Sequence, residues 1–241
     1  MRYGIFSDIH GNLEAFHEVI NAYKNEKIDK YLCVGDIVGY GADPKECIDK
    51  TKQLQALTVA GNHDWAAVGM TDITYFNPVA EQAILWTRAK LSDEEKDFLK
   101  SLKLVYENSD LILVHGTLNK PEEFNYLMDV DLAQVDFKLM KKNICFVGHS
   151  HIAGIFIEAK GKISYSVQAQ IKIDPNKKYI VNVGSVGQPR DRDNRASFCI
   201  FDTDRKEVYL KRVDYSIEKA QAKIIKAGLP PFLAARLSTG M

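Results

Sequence analysis

The chain has 241 residues, 46% of them hydrophobic, and its 32 basic and 32 acidic residues cancel to a formal net charge of zero. That length fits one large domain or two small ones, and the balanced charge argues against a polymeric nucleic-acid partner, which a broad basic surface would attract. No apolar run is long enough for a signal peptide or a membrane span, and the four cysteines lie far apart without CxxC spacing. We therefore expect a cytoplasmic protein with no membrane partner and with reduced, buried thiols.

The first part of the chain alternates between strand-like and helix-like patterns. The apolar run Tyr3–Ser7 predicts a strand, and Asn12 is suited to cap a helix that continues to about residue 26. Tyr31–Val34 predicts the second strand, Pro44 the start of a second helix, and Leu57–Val59 the third strand. Strands and helices in this order predict a largely parallel α/β core.

The pattern becomes helical over about residues 65–104. Asn77 and Pro78 predict the start of one helix, and Ser92 with Glu95 forms a capping box for another. The segment Val68–Phe76 precedes both. We interpret this region as a helical insertion that either overhangs a functional site or packs peripherally on the sheet, and the sequence leaves both arrangements open.

Further strand-like runs occur at residues 111–114, 144–147, 154–158, 163–167, 179–183, 196–201 and 208–213. The tight spacing of the last five predicts antiparallel pairing into a second sheet. A C-terminal helical tail covers about residues 216–241, and its apolar part either folds back on the domain or pairs subunits, so an oligomer stays possible. No internal repeat or flexible linker interrupts the chain, which predicts one domain over residues 1–241.

Five short polar motifs follow strand-like runs. They are Asp8-Ile9-His10, Gly35-Asp36, Gly61-Asn62-His63-Asp64, His115-Gly116 and Gly148-His149-Ser150-His151. Open α/β sheets gather such residues at the carboxyl edge of the strands. Two neighbouring divalent ions require carboxylate, imidazole and amide oxygen ligands, and the Asp36 carboxylate has two oxygens with which to bridge them. His63 is a spare imidazole for chemistry, whereas His17 lies inside the first helix and reads as an ordinary structural residue.

These motifs resemble those of the calcineurin-like metallophosphoesterase superfamily, whose pattern reads D-x-H, G-D, G-N-H-D/E, H and G-H-x-H. The match spans residues 8–151 and extends through the loop 182–190. The resemblance implies an α/β fold, a four-layer α/β/β/α sandwich with two mixed β-sheets. It also implies two ligand sets, one of Asp8, His10, Asp36 and His151, and one of Asp36, Asn62, His115 and His149.

The same resemblance implies a metal-dependent phosphoric ester hydrolase. Two divalent transition-metal ions, manganese first with iron, zinc or nickel as alternatives, would hold a hydroxide between them and polarise a phosphoryl oxygen. Attack of this hydroxide in line with the leaving group would expel an alcohol or a phosphate. His63 carries over as the catalytic residue that contacts the phosphate and stabilises charge or protonates the leaving group; the alternative is a structural histidine.

The chain departs from the pattern G-D-Y-V-D-R-G of the protein Ser/Thr phosphatases in this superfamily. Gly39 stands in place of the aspartate and Tyr40 in place of the phosphate-binding arginine, which argues against a phosphoprotein substrate. Tyr40 is either a substrate contact or a loop aromatic. Arg190 is a candidate substitute cation, because its planar guanidinium suits phosphate oxygens; alternatively it pairs with a nearby aspartate.

The loop that contains Arg190 resembles that of small bacterial and archaeal phosphodiesterases related to diadenosine tetraphosphatases. The family commonly reads Asn-Pro-Gly-Ser where this chain has Asn182-Val183-Gly184-Ser185. We therefore expect a small phosphorylated substrate, a phosphodiester or a nucleotide-like anhydride. A phosphomonoesterase is the alternative within enzymes. A non-catalytic metal-binding scaffold, like the retromer subunit of this fold, is the alternative outside them.

Overall fold

A computed structural model describes all 241 residues, and two six-stranded β-sheets form its centre. The strands are β1 (Arg2–Phe6), β2 (Lys30–Cys33), β3 (Leu57–Thr58), β4 (Val105–Glu107), β5 (Ile112–Val114), β6 (Ile144–Val147), β7 (Gly154–Ala159), β8 (Lys162–Ser166), β9 (Gln170–Lys172), β10 (Lys178–Asn182), β11 (Ala196–Asp202) and β12 (Glu207–Val213). The helices are α1 (Leu13–Lys24), α2 (Pro44–Gln53), α3 (Asn62–Ala67), α4 (Pro78–Lys90), α5 (Asp93–Ser101), α6 (Val130–Leu139), α7 (Ile217–Lys226) and α8 (Pro231–Ala235). Short 3-10 helices cover Pro121–Glu123 and Arg236–Ser238.

Both sheets are mixed. The first has the order β3-β2-β1-β11-β12-β9, with β1 parallel to β2 and antiparallel to β11. The second has the order β4-β5-β6-β10-β7-β8, with β10 parallel to β6 and antiparallel to β7. The predicted antiparallel second sheet of the last five strands is therefore wrong in detail. Hairpin spacing indicates which strands can be neighbours, but not that β11 and β12 return to the edge of the first sheet.

Side chains alternate between the two faces of each strand, and this alternation produces the four layers. Ile5 points into the cluster between the two sheets, and its neighbour Phe6 points to the helices on the other face. In the second sheet, Phe146 faces the first sheet while Cys145 packs under α6. Because consecutive strand residues face opposite sides, an unbroken apolar run serves both layers. The predicted α/β/β/α sandwich is confirmed.

Local capping signals predicted most helix starts correctly. The side chain of Asn12 accepts a hydrogen bond from the Ala15 N–H, and Ser92 and Glu95 form the predicted capping box. Pro78 opens α4 behind its cap Asn77. The helix α6 and the short strands β4 and β9 were not predicted, because three-residue strands and a helix with several exposed apolar residues produce no clear periodic pattern.

The C-terminal segment folds back onto the domain, one of the two arrangements left open by the sequence. Leu233 and Leu237 pack against α4, α7 and the ring of Tyr40. The Lys223 ammonium of α7 contacts the carboxylates of Glu14 and Asp43 at 2.8 and 2.9 Å, which joins α7 to the first two helices. All four cysteines are buried and free, as predicted. No helix has the length and apolar character needed to cross a membrane.

We predict that the Tyr23 hydroxyl stabilises the packing of α1 against the first sheet. It is buried and donates to the carbonyl oxygens of Ile5 and Cys199 at 2.9 and 3.2 Å. Tyr23→Phe should lower the free energy of unfolding by about 1–2 kcal/mol in urea titrations, because two buried carbonyls lose a donor.

The matched control is Tyr31→Phe. The Tyr31 ring packs against Tyr23, but its hydroxyl makes no hydrogen bond within the chain, so the change should stay within about 0.5 kcal/mol. Equal effects of the two substitutions would contradict this role of the Tyr23 hydroxyl.

Candidate metal centre

The five predicted motifs meet at one edge of the sandwich. Each follows a strand or opens α3. Six of the seven candidate ligand residues and His63 fall into groups of neighbouring donor atoms, and the seventh, Asn62, lines the same cavity as His63 and His149. Several of them adopt the left-handed backbone region, with φ between 51° and 65°: Asp8, His10, Asp36, His149 and His151. This conformation is unfavourable for residues other than glycine, and its concentration at one point is typical of a functional site.

The donor atoms form three groups: Asp8, His10 and His151, then Asp36, His115 and His149, and a third of His10, Asp36 and His63 that shares a residue with each of the first two. In the first, His151 Nε2 and His10 Nε2 lie 3.1 and 3.6 Å from Asp8 Oδ1. In the second, His115 Nε2 lies 3.2 Å from Asp36 Oδ2, and His149 completes the group. His10 Nε2 is also 3.5 Å from Asp36 Oδ2. Ligand atoms around one transition-metal ion have separations of about 3.0–3.5 Å, since each lies about 2.0–2.2 Å from the metal.

Three imidazoles are held so that Nε2 presents a lone pair to the centre. His10 Nδ1 lies 3.1 Å from the Val38 carbonyl oxygen, and His115 Nδ1 lies 2.7 Å from that of Val34. His151 Nδ1 contacts the Gln188 carbonyl oxygen. A carbonyl accepts only from a protonated nitrogen, which assigns the proton to Nδ1 in the neutral rings. His10 Nε2 and His151 Nε2, 3.0 Å apart, then face each other as two lone pairs.

Several buried polar atoms of the centre have no hydrogen-bond partner. They are Asp8 Oδ1, Asp36 Oδ2, Asn62 Oδ1, His115 Nε2 and His149 Nε2. An unsatisfied buried polar atom costs roughly 1–3 kcal/mol, so five in one place need a common explanation. Bound cations would accept these lone pairs, and this explains why the atoms have no other partner. The residues present therefore fit two metal ions, with oxygen and nitrogen donors that suit divalent transition metals.

The electrostatics of the centre also favour cations. Burial opposes ionisation of Asp8 and Asp36, but the neighbouring imidazoles hold the pKa of both carboxyls well below the usual range. Burial lowers the pKa of His149 and of His151 to about 3, which keeps both rings neutral. For His115 the carboxylate of Asp36 outweighs burial and raises the pKa to about 9. The negative electrostatic potential that stabilises a proton on His115 would also stabilise a bound metal ion.

Asp64 positions the loop of Asp36, a role that the sequence analysis did not assign although the motif contains it. Its buried carboxylate accepts from the backbone N–H groups of Asp36 and Ile37 at 2.8 and 2.9 Å, and also from Gly61 and Val38. Burial and the nearby Asp36 charge raise the pKa of Asp64 to about 7. Gly61 is required here because a Cβ would lie 2.0 Å from Asp36 Oδ1.

His63 belongs to the third group, with His10 and Asp36, and to neither of the first two. Its ring packs against those of Tyr40, His10 and Phe76, with centroids 4.5, 4.8 and 5.2 Å away. Its backbone N–H donates to Asp36 Oδ1 at 2.8 Å. Gly39, which replaces an aspartate of the protein phosphatases, approaches so closely that a Cβ would lie 2.5 Å from His63 Nδ1. Aromatic packing and this backbone contact therefore orient the imidazole in place of a carboxylate.

Tyr40 and Arg190 form a layer next to this histidine. Tyr40 is buried, its ring centroid lies 4.6 Å from that of His10, and the Arg190 guanidinium lies 5.8 Å from the Tyr40 ring. Arg190 donates to Gln188 Oε1 at 3.0 Å and forms no ion pair with an aspartate. Asp191 instead pairs with Arg212, and Asp193 with Arg195. The aspartate pairing considered for Arg190 is therefore wrong.

The loop 182–190 mainly supports the ligands. Asn182 Nδ2 donates to the Gly148 carbonyl oxygen at 2.8 Å, and Ser185 Oγ donates to that of Asp8 at 2.8 Å. The Val183 N–H donates to the Val147 carbonyl oxygen at 3.0 Å. A proline at position 183 could not make this bond, so valine here extends the β10–β6 ladder by one residue.

Aromatic residues that the sequence analysis did not select surround the opening. The Tyr126 ring stacks on that of His149 at 3.9 Å, and Phe124 meets His115 edge-on at 6.0 Å. Arg236 of the C-terminal segment lies close enough to Arg190 that burial and this second guanidinium lower the pKa of Arg236. No sequence motif marks these residues, because only long-range folding brings their loops to the site.

Comparison with known proteins agrees with this geometry. Residues 1–206 match the model of the Calcineurin-like phosphoesterase superfamily domain. The chain is 42% identical over 240 residues to an uncharacterized protein of Methanocaldococcus jannaschii, covering 98% of this chain and 97% of the relative. It is similar to the crystal structure of a metallophosphoesterase from Sphaerobacter thermophilus, with a TM-score of 0.89, 36% identity and coverage of 100% and 99% of the two chains. A hypothetical protein from Pyrococcus horikoshii shares the fold, with a TM-score of 0.80 at 19% identity and coverage of 100% and 98%.

We predict that metal ions stabilise the fold through these lone pairs. Mn²⁺ added to metal-free protein at about 100 times its Kd should raise the free energy of unfolding by about 2.7 kcal/mol per occupied site. Asp36→Asn removes the shared carboxylate and should abolish most of this increment. Urea titrations with EDTA or with Mn²⁺ measure both values.

Asp136→Asn is the matched control. Asp136 is also a buried carboxylate, but it accepts from the backbone N–H groups of Leu118 and Asn119, outside the centre. Its substitution should lower stability and keep the Mn²⁺ increment. An increment that Asp36→Asn leaves intact would refute the shared role of Asp36.

Proposed function

We propose that this chain, which belongs to the calcineurin-like phosphoesterase superfamily, is a hydrolase of phosphoric esters that cleaves a small phosphodiester or a nucleotide-like phosphoanhydride. Two divalent transition-metal ions, manganese before iron, zinc or nickel, are the proposed cofactors. The observation that carries the proposal is the set of three overlapping donor groups, in which several buried polar atoms have no hydrogen-bond partner.

The proposed ligand sets are those that the motifs imply. Asp8, His10, Asp36 and His151 would hold one ion, and Asp36, Asn62, His115 and His149 the other. When bound, the ions supply Lewis acidity toward a phosphoryl oxygen and lower the pKa of coordinated water. The chain itself contributes the fixed Nε2 orientation of three imidazoles and the two ionised carboxylates.

His63 is the proposed catalytic residue on the side of the leaving group. Burial lowers the pKa of His63 well below its usual value, so the free ring is neutral. A neutral imidazole with one N–H can donate to a phosphoryl or leaving-group oxygen and stabilise the charge that develops there. Its ring lies against Tyr40 and Phe76, which limits its rotation.

Arg190 and Tyr40 are the proposed substrate contacts. Arg190 carries a permanent charge without an anionic partner, and its buried Nε atom has no hydrogen-bond partner. The Tyr40 ring separates this guanidinium from His10 and His63. A phosphate oxygen is the natural acceptor for the free guanidinium. Tyr40 lines the cavity beside His63 and would contact the substrate from there.

A diester is favoured because the wall of the site has aromatic and acidic side chains, which suit a second organic substituent better than a second phosphate charge. Arg236 next to Arg190 supports the alternative, since a monoester dianion would use two guanidiniums. A metal-binding scaffold without activity is the remaining alternative, to be separated by experiment.

The proposed domain organisation is one domain over residues 1–241 in which the insertion, about residues 65–104, narrows the opening. Its Val68–Phe76 segment places Phe76 against His63. The C-terminal tail, about residues 216–241, closes the other side by packing on Tyr40.

The proposal predicts turnover of bis(p-nitrophenyl) phosphate above that of p-nitrophenyl phosphate by Mn²⁺-loaded protein. His63→Ala should keep its Mn²⁺ stoichiometry and lose about 10²–10⁴-fold in kcat, because it removes the donor to the developing charge. Nitrophenol release and metal analysis measure these effects.

His17→Ala is the matched control, because this exposed histidine contacts only Glu18 and Asn21 on α1. It should leave turnover unchanged. Faster monoester turnover would select the alternative activity, and bound metal without turnover of any ester would select the scaffold. Full activity in His63→Ala would refute the role of His63.

We further predict that shortening Val68–Phe76 broadens activity toward larger diesters, because Thr71, Asp72, Tyr75 and Phe76 form one side of the opening. The ratio of kcat/KM for a bulky and a small aryl diester measures this effect. An unchanged ratio would show that the segment does not restrict substrate size.

A further inference from the structure

A cavity of about 400 Å³ adjoins the metal centre, and its lining includes His63, Asn62 and His149. Its walls come from the insertion and from the loop 122–126. Four aromatic side chains besides Tyr40 line it: Tyr75, Phe76, Phe124 and Tyr126. Tyr75 is 90% exposed and Tyr126 48% exposed, so the Tyr75 ring and the face of Tyr126 that does not stack on His149 are available to a ligand.

The charged residues of this cavity are all acidic. Asp72, Glu122 and Glu123 line it, and no lysine or arginine does. Glu123 is neutralised by Lys120 at 2.8 Å, but Glu122 makes no hydrogen bond or ion pair within the chain. Asp72 accepts only from the Thr74 N–H, a bond that lowers the pKa of Asp72 and keeps it ionised. Two uncompensated carboxylates therefore remain beside the aromatic rings.

We propose that this cavity binds a positively charged amino-alcohol substituent of the diester, such as a quaternary ammonium group. Aromatic faces attract cations through the ring quadrupole, and carboxylates nearby add to the attraction. The inference rests on the proposed function and adds the class of organic group. Since the cavity contains His63, the amino alcohol is the leaving group.

The reaction is a hydrolysis. The oxygen of water bonds to phosphorus, and the bond between phosphorus and the amino-alcohol oxygen breaks. That oxygen takes a proton from solvent while the N–H of the neutral His63 ring donates a hydrogen bond to it, so a phosphate monoester and the free amino alcohol are formed. The charges are separated in space: Arg190, which does not line the cavity, is left for the phosphate, and Asp72 and Glu122 are left for the cation. An anionic substituent, such as a further phosphate, would meet repulsion in the cavity.

The test compares two isosteric diesters, methyl choline phosphate and methyl 3,3-dimethylbutyl phosphate, which differ in one positive charge. Proton NMR follows release of choline, dimethylbutanol and methanol by the Mn²⁺-loaded protein. We expect release of choline in preference to methanol, and a kcat/KM about tenfold above that of the neutral diester, the size of a cation–π contact. Equal kcat/KM values, or release of methanol only, would overturn the inference.

Variants assign the preference to the cavity. Glu122→Gln and Asp72→Asn should each reduce the ratio of the two kcat/KM values at least about twofold. Glu218→Gln, the same charge change at an exposed position of α7, should leave the ratio unchanged. A preference that survives in the double variant would refute the role of these carboxylates.

A binding measurement does not depend on turnover. Calorimetry should show phosphocholine binding more tightly than 3,3-dimethylbutyl phosphate, and the difference should shrink in Glu122→Gln. Bis(p-nitrophenyl) phosphate serves as the reference substrate. If it is turned over while choline shows no advantage, the inference fails and the proposed function stands; if it is not turned over at all, the proposed function itself fails.

Discussion

The structure depends on two carboxylates, Asp8 and Asp36, that are buried at the carboxyl edge of the strands with lone pairs left free. Burying ionised groups is costly unless an opposite charge compensates them. Here imidazoles surround them, of which His149 and His151 are neutral, and backbone carbonyls fix the rings of His10, His115 and His151 with Nε2 toward the centre. The arrangement is unfavourable for the protein alone and favourable for a protein that holds cations.

Backbone conformation and hydrogen bonds from the surrounding chain hold these side chains in place. Five of the ligand residues have left-handed backbone conformations, each of which costs of order 1–3 kcal/mol. Asp64 accepts from several backbone N–H groups of the Asp36 loop, Ser185 connects the second half of the chain to Asp8 in the first, and Asn182 holds the loop of His149 through Gly148. Such supporting bonds keep metal ligands in place before a metal arrives.

The residues that surround the candidate site come from elements far from the strand ends in sequence. The insertion contributes Phe76 beside His63, and the loop 122–126 contributes Tyr126 over His149. The C-terminal segment packs on Tyr40 and so reaches the layer that contains Arg190. The ligands thus belong to the strand ends, whereas the walls belong to loops that differ freely in length and composition.

The sequence alone indicated a hydrolase of phosphoric esters and the candidate metal ligands, because metal ligands belong to few residue types and these residues follow strands that apolar runs mark. It also determined most helix starts, because a capping side chain such as that of Asn12 or Ser92 bonds to backbone N–H groups only a few residues further along the chain. Only the tertiary structure decided that β11 and β12 join the first sheet, that Asp64 positions Asp36, and that Gly39 and aromatic rings orient His63. It also decided that Arg236, Tyr126 and Glu122 reach the site. These are contacts between segments distant in sequence, and no local pattern encodes a distance across the fold.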